Sequence, residues 1–497
     1  MDNELVFNTY SGNSYMYSMD KSKIMHTNPL LAFIILNNNK SNLNYLISQN
    51  PLFSNITPSE INYQLQKYEF LKNNGYFNKC TAFKQRNKRL SKESVLYNFS
   101  RLGSICFEVT EACNLNCTYC GYGELYGHYD KRENKKLDFI YAKSLIDYYH
   151  LFLNSTDDTY TENDSIMFNF YGGEPLLNFE LIKGIVDYVK TLKFKGKSIE
   201  FAMTTNGLLL DKYIEFIANN DFYLTVSIDG DSFCSSYRLD HSGNNRFEDL
   251  YKNLKHIQRQ YPDYFKDKII FNSVLHNKNS YEEIYGFISK EFGKFPRISE
   301  MNDKGVAADK KDDYKQIYRN GFESFKSYES KDTSNMLPAV NNVFMDYTAR
   351  GADSLGFTLK YDSVNSLFNE SPKSLLTGSC TPFYRSVFLT ANRKILYCEK
   401  VPHDKILGII HEDGVVEFDF EKITSFHNNQ YDGISNSCST CYAINRCTHC
   451  TLADNELTFC SDYQTKEDML NRLSNIVEYF EENPSNYIKS IQEITLI

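Results

Sequence analysis

Apolar strand-like segments alternate with helical patterns in the middle of the chain, and this alternation constrains the fold more than any other feature. Three helical patterns separate strand-like segments, at Phe139–Leu153, Phe179–Lys193 and Glu248–Tyr261. Because a chain that returns to a sheet through a helix lays its strands parallel, we predict an α/β protein with a parallel sheet. The predicted strands are Ser104–Val109, Ile166–Phe170, Ser198–Thr204, Tyr223–Ile228, Lys268–Leu275 and Arg297–Glu300.

Polar and glycine-containing segments follow four of these strands. They occupy residues 110–120, 171–175, 205–207 and 229–230. In parallel α/β folds the reacting groups gather at the carboxyl ends of the strands. The sequence therefore predicts a functional site built from these four segments.

Three cysteines follow the first predicted strand, at Cys113, Cys117 and Cys120. Thiolates in this C-x3-C-x2-C spacing can wrap one face of an iron–sulfur cubane and leave one iron without a protein ligand. A zinc site is the alternative, but it usually needs a fourth ligand, and His128 is the one candidate nearby. The spacing therefore favours an iron–sulfur cluster with an open coordination position.

With Tyr119 before the last cysteine, this motif resembles the signature of the radical S-adenosylmethionine (SAM) superfamily. The resemblance implies that residues 104–310 form a partial (β/α)6 TIM-type barrel. It also implies that the open iron of a 4Fe–4S cluster chelates SAM. Reductive cleavage of SAM then gives a 5′-deoxyadenosyl radical, which abstracts a hydrogen atom from the substrate.

Further segments resemble the SAM-binding motifs of this superfamily, in the expected order. Residues 171–175 resemble its GGEP motif, in which glycines permit a close backbone approach and a carboxylate accepts from an ammonium group. Residues 204–207 and 227–230 resemble two strand-end segments beside SAM, and a guanidinium suits the SAM carboxylate. The resemblance thus implies SAM contacts from Tyr119, Gly172, Gly173, Glu174, Asn206, Ser227 and Arg238.

Seven more cysteines lie near the C-terminus, which exceeds the needs of a single four-ligand site. A zinc ribbon is the alternative, since C-x2-C pairs also suit zinc. Beside the first motif, the pattern resembles a SPASM domain, which implies two auxiliary 4Fe–4S clusters and three clusters in all. The implied ligands are Cys438, Cys441, Cys447 and Cys460 for one cluster, and Cys380, Cys398 and Cys450 for the other.

Three departures from the SPASM pattern concern a glycine position, a spacing and a ligand. Arg393 stands where the family usually has glycine, and Cys447 and Cys450 are closer than usual. No cysteine lies between Cys234 and Cys380 to complete the set of Cys380, Cys398 and Cys450. We therefore expect an open or unusual fourth ligand at that cluster. Cys80, Cys106 and Cys234 are expected to be ordinary thiols.

The N-terminal residues 1–75 predict a small separate module. Three short strands, within residues 5–26, precede three helical patterns, and the last of these opens with Thr57, Pro58 and Glu60 as a helix start signal. This order suggests a winged-helix-like module that recognises a leader peptide. The other predicted divisions are a linker at 76–103, a helical bridge at 311–378, the cysteine-rich iron–sulfur domain at 379–464, and a closing helix and tail at 465–497.

The resemblance and the module together predict an oxidoreductase, a peptide maturase that cross-links a ribosomally made precursor peptide through a thioether or carbon–carbon bond. The alternatives are an anaerobic sulfatase-maturing (formylglycine-generating) enzyme and an iron–sulfur electron carrier or regulator. A flavodoxin or ferredoxin would supply low-potential electrons. Glu300 and Asp303 are weak candidates for a catalytic base. The net charge of −9 argues against nucleic-acid binding, and no leader or membrane span is apparent, so we expect a cytoplasmic protein.

Overall fold

The structure is a computed structural model of the 497-residue chain. It describes residues 4–19, 23–78, 89–155, 164–321, 323–324, 327, 360–361, 377, 379–444, 447, 449–454, 460–482, 484 and 495–496. Cys80, and most of the predicted bridge at 311–378, lie outside the described residues.

Fifteen strands are found in the described part of the chain. They are β1 (Glu4–Asn8), β2 (Ser14–Ser18), β3 (Lys23–Thr27), β4 (Ser104–Thr110), β5 (Ser165–Gly172), β6 (Ser198–Thr205), β7 (Tyr223–Ser227), β8 (Ile269–Leu275), β9 (Arg297–Glu300), β10 (Lys360–Tyr361), β11 (Ser386–Leu389), β12 (Lys394–Leu396), β13 (Ile406–Ile410), β14 (Val416–Phe418) and β15 (Thr495–Leu496).

Thirteen α-helices accompany these strands in the same described residues. They are α1 (Pro29–Asn37), α2 (Leu43–Gln49), α3 (Pro58–Asn73), α4 (Lys92–Ser100), α5 (Phe139–Ser155), α6 (Phe179–Val189), α7 (Leu210–Asn219), α8 (Phe247–Gln260), α9 (Pro262–Lys268), α10 (Tyr281–Phe292), α11 (Lys311–Ile317), α12 (Phe420–Thr440) and α13 (Lys466–Glu482).

The main sheet has ten strands in the order β14-β13-β12-β11-β4-β5-β6-β7-β8-β9. The strands from β4 to β9 are parallel neighbours in sequence order, and helices α5 to α10 connect them. All six predicted strands are present within two residues of their predicted ends, so the predicted α/β core is confirmed. Helix α6 ends four residues before the predicted Lys193.

The cysteine-rich region extends this sheet, which the sequence did not predict. Strand β11 pairs parallel with β4, from Ser386 opposite Ser104 to Leu389 opposite Phe107. Strands β12, β13 and β14 continue the sheet in antiparallel fashion. One hydrogen-bonded sheet therefore crosses the predicted boundary between the barrel and the cysteine-rich region.

The N-terminal module has the predicted order of three strands and three helices. Its strands form an antiparallel sheet in the order β1-β2-β3. Thr57 and Glu60 cap α3 reciprocally, as the start signal predicts. One face of the sheet packs on α1 and α3 through residues such as Met16 and Leu31. The other face, through Leu5 and Tyr17, joins a core with α12 and α13.

Phe99 of α4 fastens the barrel to the C-terminal strands. Its side chain is fully buried, and its ring centroid lies 4.7 Å from that of Phe383, 4.8 Å from Phe152 and 5.5 Å from Phe418. Phe152 belongs to α5 of the barrel, whereas Phe383 and Phe418 belong to the cysteine-rich region. This part of the chain lies within the predicted linker 76–103 and is a packed helix there. No described helix is long and apolar enough to cross a membrane.

Replacing Phe99 with alanine should therefore destabilise the joined core. We expect a loss of about 3–5 kcal/mol of unfolding free energy, because a buried phenylalanine leaves a cavity when it is truncated. Urea unfolding followed by tyrosine fluorescence measures this, since the chain has no tryptophan. Tyr97→Ala on the same helix is the matched control, because Tyr97 is 52% exposed. Equal stability of the Phe99→Ala and Tyr97→Ala proteins would contradict the role of Phe99 in joining the barrel to the C-terminal strands.

Candidate active site

The three cysteines predicted to hold a cluster lie in the loop that follows β4. The pKa of Cys113 is raised to about 11 and that of Cys117 to about 12. Burial is the largest cause, and the neighbouring cysteines contribute to both increases. The three thiols therefore lie within electrostatic range of one another. The backbone N–H of Leu115 donates to Sγ of Cys113 at 3.4 Å. No three metal-binding side chains among the described residues are grouped closely enough to hold a metal ion, so cluster ligation remains a prediction.

The glycine pair at the end of β5 packs against the backbone that leads to these cysteines. The N–H of Gly173 donates to the carbonyl of Thr110 at 2.8 Å, and that of Glu174 donates to the carbonyl of Ala112 at 2.8 Å. Gly172 has φ +124°, and a Cβ on either glycine would collide with these carbonyls. Two glycines are thus required for strand-to-loop packing.

Glu174 is fully buried and binds protein donors. Its carboxylate accepts from the N–H of Leu176 at 3.1 Å, the hydroxyl of Thr205 at 2.7 Å and the N–H of Asn206 at 2.8 Å. Burial raises its pKa, and these donors oppose that rise. The side chain therefore ties the end of β5 to the end of β6, and its contact with a SAM ammonium stays a prediction.

Asn206 reaches from the end of β6 to the first cysteine. Its side-chain amide donates to Oδ1 of Asn114 at 2.6 Å and lies 3.8 Å from Sγ of Cys113. Its own Oδ1 accepts from the N–H of Leu208 at 3.1 Å. The structure thus brings Asn206 and Cys113 together, as the strand-end rule predicts.

Arg238 lies in a buried group with Tyr119 and Asp229. A guanidinium nitrogen donates to the phenol of Tyr119 at 3.0 Å, and it lies 4.0 Å from a carboxylate oxygen of Asp229. The phenol also donates to Asp229. His276 stacks on the ring of Tyr119, with centroids 5.6 Å apart. Asp229 is the carboxylate that offsets the buried Arg238 cation beside Cys117, a role that the sequence did not predict.

Ser227 is the last residue of β7 and is half-buried. It lies opposite Asn272 of β8 in the parallel ladder. No hydrogen bond of its hydroxyl is found in the part of the chain that the structure describes. The role of Ser227 toward SAM therefore stays a prediction.

The donors around this loop fit an iron–sulfur cluster with three thiolate ligands. Three thiolates concentrate negative charge, and Arg238 is a buried cation next to Cys117. Amide donors of Leu115 and Asn206 approach the sulfur of Cys113, as they do at cluster sulfurs. Cys113, Cys117 and Cys120 are thus the residues that would hold the cluster.

The C-terminal cysteines fall into two groups. In the first, the thiols of Cys380 and Cys450 add to the effect of burial, which raises the pKa of Cys398 to about 12. In the second, Cys447 and Cys441 likewise act on Cys460, whose pKa burial raises to about 11. Cys438 lies near the end of α12, and Cys441 follows that helix. Cys380, Cys398 and Cys450 thus lie near one another, as do Cys441, Cys447 and Cys460, and the ligation of clusters by these cysteines stays a prediction.

His449 joins the second group to the barrel. Its ring nitrogens lie 2.5 Å from the Asp454 carboxylate and 2.8 Å from that of Asp462. Burial alone would lower the pKa of His449, but these two carboxylates raise it to about 9. Asp462 also accepts from Lys304, which follows β9, at 2.9 Å. These contacts hold the loop around Cys450 against the barrel.

Arg393 adopts the conformation that explains why glycine is usual at this position. It lies in the turn between β11 and β12, with φ +66°, in the left-handed region. Its guanidinium lies 5.2 Å from the centroid of the Tyr141 ring and 3.3 Å from the Glu412 carboxylate. Arginine therefore keeps the turn of the family pattern.

Arg132 is a partly buried residue that joins the cysteine loop to β4, and sequence reasoning missed it. The guanidinium pairs with Glu108 at 2.9 Å and donates twice to the carbonyl of Glu111, at 3.0 and 2.9 Å. It also lies 4.0 Å from the centroid of the Tyr122 ring. Its charged neighbours Lys131, Glu133, Lys135 and Lys136 are exposed, so the local pattern predicts a solvated loop, which is wrong for Arg132. A local pattern does not reveal a partner 24 residues away.

The side-chain carboxylates of Glu108 and Glu111 also accept hydrogen bonds from the turn between β11 and β12. Glu108 accepts from the N–H of Ala391 at 2.9 Å, and Glu111 accepts from the side chain of Asn392 at 2.9 Å. Glu108 is fully buried, and burial raises its pKa although Arg132 opposes the rise. The loop that carries Cys113 and the strand that precedes Cys398 are therefore held by one charged network.

The two candidate bases lie at the end of β9 and just after it. The Glu300 carboxylate accepts from the phenol of Tyr318 at 2.8 Å and from the N–H of Gly321 at 2.7 Å, so its described role is structural. Asp303 is 68% exposed and lies 3.7 Å from Lys304. Neither is shown to face the cysteine loop.

Glu399 is the better-placed carboxylate. It follows Cys398, is half-buried, and makes no hydrogen bond or ion pair that the described residues reveal. Tyr129 and Tyr171 lie near it, since its charge adds to the effect of burial in raising the pKa of both phenols. Its charge likewise adds to the effect of burial in raising the pKa of Cys106, so Glu399 lies near β4 as well as near the two phenols.

The Arg132 tie makes a prediction about stability. Arg132→Met should cost about 3–5 kcal/mol of unfolding free energy, because Glu108 becomes a buried carboxylate without its cation. Adding Glu108→Gln should recover part of this loss, since the orphaned charge is then removed. Urea unfolding of the single and double variants measures the coupling. Lys131→Met, at an exposed neighbour, is the control, and a variant at Arg132 as stable as this control would refute the tie.

A family model of the radical SAM superfamily matches residues 107–290. The match begins within β4 and ends within α10. It therefore covers the strands and the cysteine loop that form the site.

Two curated proteins are similar to part of the chain. The radical SAM cyclopropyl synthase TigE of Paramaledivibacter caminithermalis is 24% identical over 264 residues, which covers 52% of this chain and 52% of that protein. The cysteine-type anaerobic sulfatase-maturating enzyme of Clostridium novyi is 27% identical over 202 residues, covering 38% of this chain and 50% of that enzyme. The chain thus spans about half the length of these relatives.

A solved structure described as native anSMEcpe with bound AdoMet has the same core fold. It aligns with 78% of this chain and 99% of its own, with a TM-score of 0.50 and 16% sequence identity. At that identity the likeness concerns the fold alone. Together with the family match, it confirms the predicted fold, and residues 107–290 of this chain are a radical SAM domain.

Proposed function

We propose that the chain is a radical SAM enzyme that modifies a peptide or protein substrate. The observation that carries this proposal is the loop of Cys113, Cys117 and Cys120 beside the buried Arg238 in a radical SAM domain. A 4Fe–4S cluster with SAM, when bound there, supplies the 5′-deoxyadenosyl radical that takes a hydrogen atom from the substrate. Glu174 and Asn206 position the loop, and Arg238 offsets its charge.

The C-terminal cysteines are proposed to hold two further 4Fe–4S clusters. Cys438, Cys441, Cys447 and Cys460 would ligate one of them, and the set of Cys380, Cys398 and Cys450 would ligate the other with an open or unusual fourth ligand. Thiolates grouped in this way are typical of cluster and zinc sites. A low-potential flavodoxin or ferredoxin is the proposed electron donor.

The cluster proposal predicts iron content. The anaerobically reconstituted protein should hold about twelve iron atoms per chain, and Cys117→Ser should hold about four fewer, because each cubane has four irons. The Cys117 variant should also lose the electron paramagnetic resonance change that SAM produces in the reduced protein. Cys234→Ala is the control, since Cys234 is a buried cysteine outside all three sets. Unchanged iron content in the Cys117 variant would contradict the assignment, as would zinc in place of iron.

A peptide cross-linking activity is the more specific form of the proposal. The support is the N-terminal module, in which β3 is an edge strand without a described strand partner on its outer side. The other edge strand, β1, contacts α13, where the hydroxyl of Ser474 donates to the carbonyl of Asn8 at 2.8 Å. An extended leader segment can add to an open strand edge through backbone hydrogen bonds. A precursor peptide with such a leader is the proposed partner.

Formylglycine formation is the second candidate. It is favoured by the similarity to the sulfatase-maturating enzyme of Clostridium novyi. That similarity supports formylglycine formation as well as the similarity to the cyclopropyl synthase supports cross-linking. In either case the substrate loses hydrogen at a side chain or backbone carbon. The half-buried carboxylate of Glu399 is the group we propose for receiving the proton that leaves with the second electron.

Mass spectrometry of the modified peptide separates these candidates. We expect that co-expression with a candidate precursor peptide lowers the mass of that peptide by two hydrogen atoms for each cross-link. Glu399→Gln should reduce this yield, because the amide cannot accept the proton, while Glu412→Gln serves as a control at an exposed glutamate. A peptide of unchanged mass, together with conversion of a sulfatase cysteine or serine to an aldehyde, would favour the second candidate instead.

A further inference from the structure

A cavity of about 570 Å³ lies beside the cysteine loop and is used by none of the roles assigned above. Three segments enclose it: the loop after Cys120, the loop after β9, and the loop after Cys398. The residues that matter here are His128, Gly305, Lys311, Pro402, Asp404 and Lys405. A cavity of this size is typical of a site for a small ligand or a short peptide segment.

Backbone hydrogen bonds join two of the segments that form the wall of the cavity. The N–H of Gly127 donates to the carbonyl of Gly305 at 3.0 Å, and that of Ala307 donates to the carbonyl of Leu125 at 2.9 Å. Gly305 has φ +75°, and a Cβ there would collide with the ring of His128. Glycine and alanine along this wall keep the cavity open.

The cavity lies close to the cysteine loop. Tyr126 precedes Gly127, and burial raises its pKa to about 12 with Cys120 as the next contributor. On the opposite side, the N–H of His403 donates to the carbonyl of His128 at 3.2 Å, which brings the segment after Cys398 against the same loop. A ligand in the cavity would therefore contact both the loop after Cys120 and the segment after Cys398.

Lys405 is a mostly buried cation in the lining of the cavity. Its side chain is only 7% exposed, and its Nζ lies 3.3 Å from the Asp404 carboxylate, which is 72% exposed. That is the one ion pair of Lys405 in the described part of the chain. A buried ammonium needs acceptors for its other N–H groups, because leaving them bare is costly. Lys311 adds a second cation at the rim, so the lining carries more positive than negative charge.

We propose that this cavity binds a carboxylate of the substrate peptide, with Lys405 as the buried partner and Lys311 as the rim partner. The inference rests on the proposed peptide-modifying function and adds a specificity to it: an acidic side chain, or a free C-terminus, near the modified residue. A charge-assisted hydrogen bond in a half-enclosed site supplies both affinity and register. Such a contact would hold the peptide beside the cysteine loop.

The test uses the full chain, purified anaerobically with its clusters, and three tripeptide probes. The first is acetylated and amidated with a central glutamate, the second replaces that glutamate by glutamine, and the third is acetyl-triglycine with a free C-terminus. Ligand-observed NMR titration measures each affinity. We expect the glutamate peptide to bind about tenfold more tightly than the glutamine peptide, as one charge-assisted hydrogen bond predicts.

Variants locate the effect. Lys405→Gln should abolish the preference for glutamate, Lys405→Arg should keep most of it, and Lys311→Gln should weaken it in part. Lys422→Gln, at an exposed lysine of α12, is the charge-matched control and should change nothing. Circular dichroism checks that each variant is folded. If Lys405→Gln does not fold, Lys405→Arg and Lys311→Gln still test the proposal.

Several outcomes would overturn the proposal. Equal affinity of the glutamate and glutamine peptides for the unaltered protein, together with no binding of the free triglycine, is one, and an unchanged preference in a folded Lys405→Gln protein is another. Loss of preference in Lys422→Gln would also overturn it, since the effect would then be one of overall charge. Tight binding of the free triglycine would support it and identify the C-terminus as the source. The assay needs neither SAM nor reductant, so its failure is distinct from failure of the radical chemistry.

Discussion

The parallel ladder between β4 and β11 is the constraint on which the rest of the structure depends. It joins the first strand of the radical SAM domain to the first strand of the cysteine-rich region, with Phe107 opposite Leu389. The cysteine loop leaves the carboxyl end of β4, and Cys398 follows soon after β11 and β12. Strand β12 then runs antiparallel to β11, so the turn between them lies at the carboxyl edge of β4, beside the cysteine loop, whereas Cys398 lies back toward the amino end of β4.

Buried charge then fixes what the ladder brings together. Glu108 and Glu111 lie on β4 and just after it, and each contacts both the Arg132 loop and the turn before β12. Removing one partner from such a network leaves an uncompensated charge, so the arrangement resists partial opening. The same principle recurs at Arg238, whose cation is balanced by Asp229 beside Cys117. The spacing between the cluster-bearing loops is thus set by pairs of charges as well as by the sheet.

Much of this architecture was predictable from local sequence pattern. The strands β4 to β9 are apolar runs with helical sequence between them. Thr57, Pro58 and Glu60 form a sequence pattern that predicts the start of α3. Cysteine spacing likewise pointed to the loop after β4. The glycines at 172 and 173 were predicted for a ligand, whereas they pack against the carbonyls of Thr110 and Ala112.

What escaped prediction depends on contacts between distant residues. Strands β11 to β14 have three to five residues each, too few for a clear alternating pattern, and their place in the sheet is set by β4. Arg132 looked like one charge in a solvated run, because its partner Glu108 belongs to a strand 24 residues earlier. Glu300 looked like a free carboxylate until its bonds to Tyr318 and Gly321 were seen.

The central claim is that the loop of Cys113, Cys117 and Cys120 holds a cluster that cleaves SAM. The most direct measurement is the amount of 5′-deoxyadenosine that the anaerobically reconstituted full-length protein forms from SAM after reduction with dithionite. The account predicts 5′-deoxyadenosine and methionine in equal amounts, accumulating with time. A protein that is fully loaded with iron and sulfide, is demonstrably reduced, and yet forms no 5′-deoxyadenosine with its substrate peptide present would contradict it.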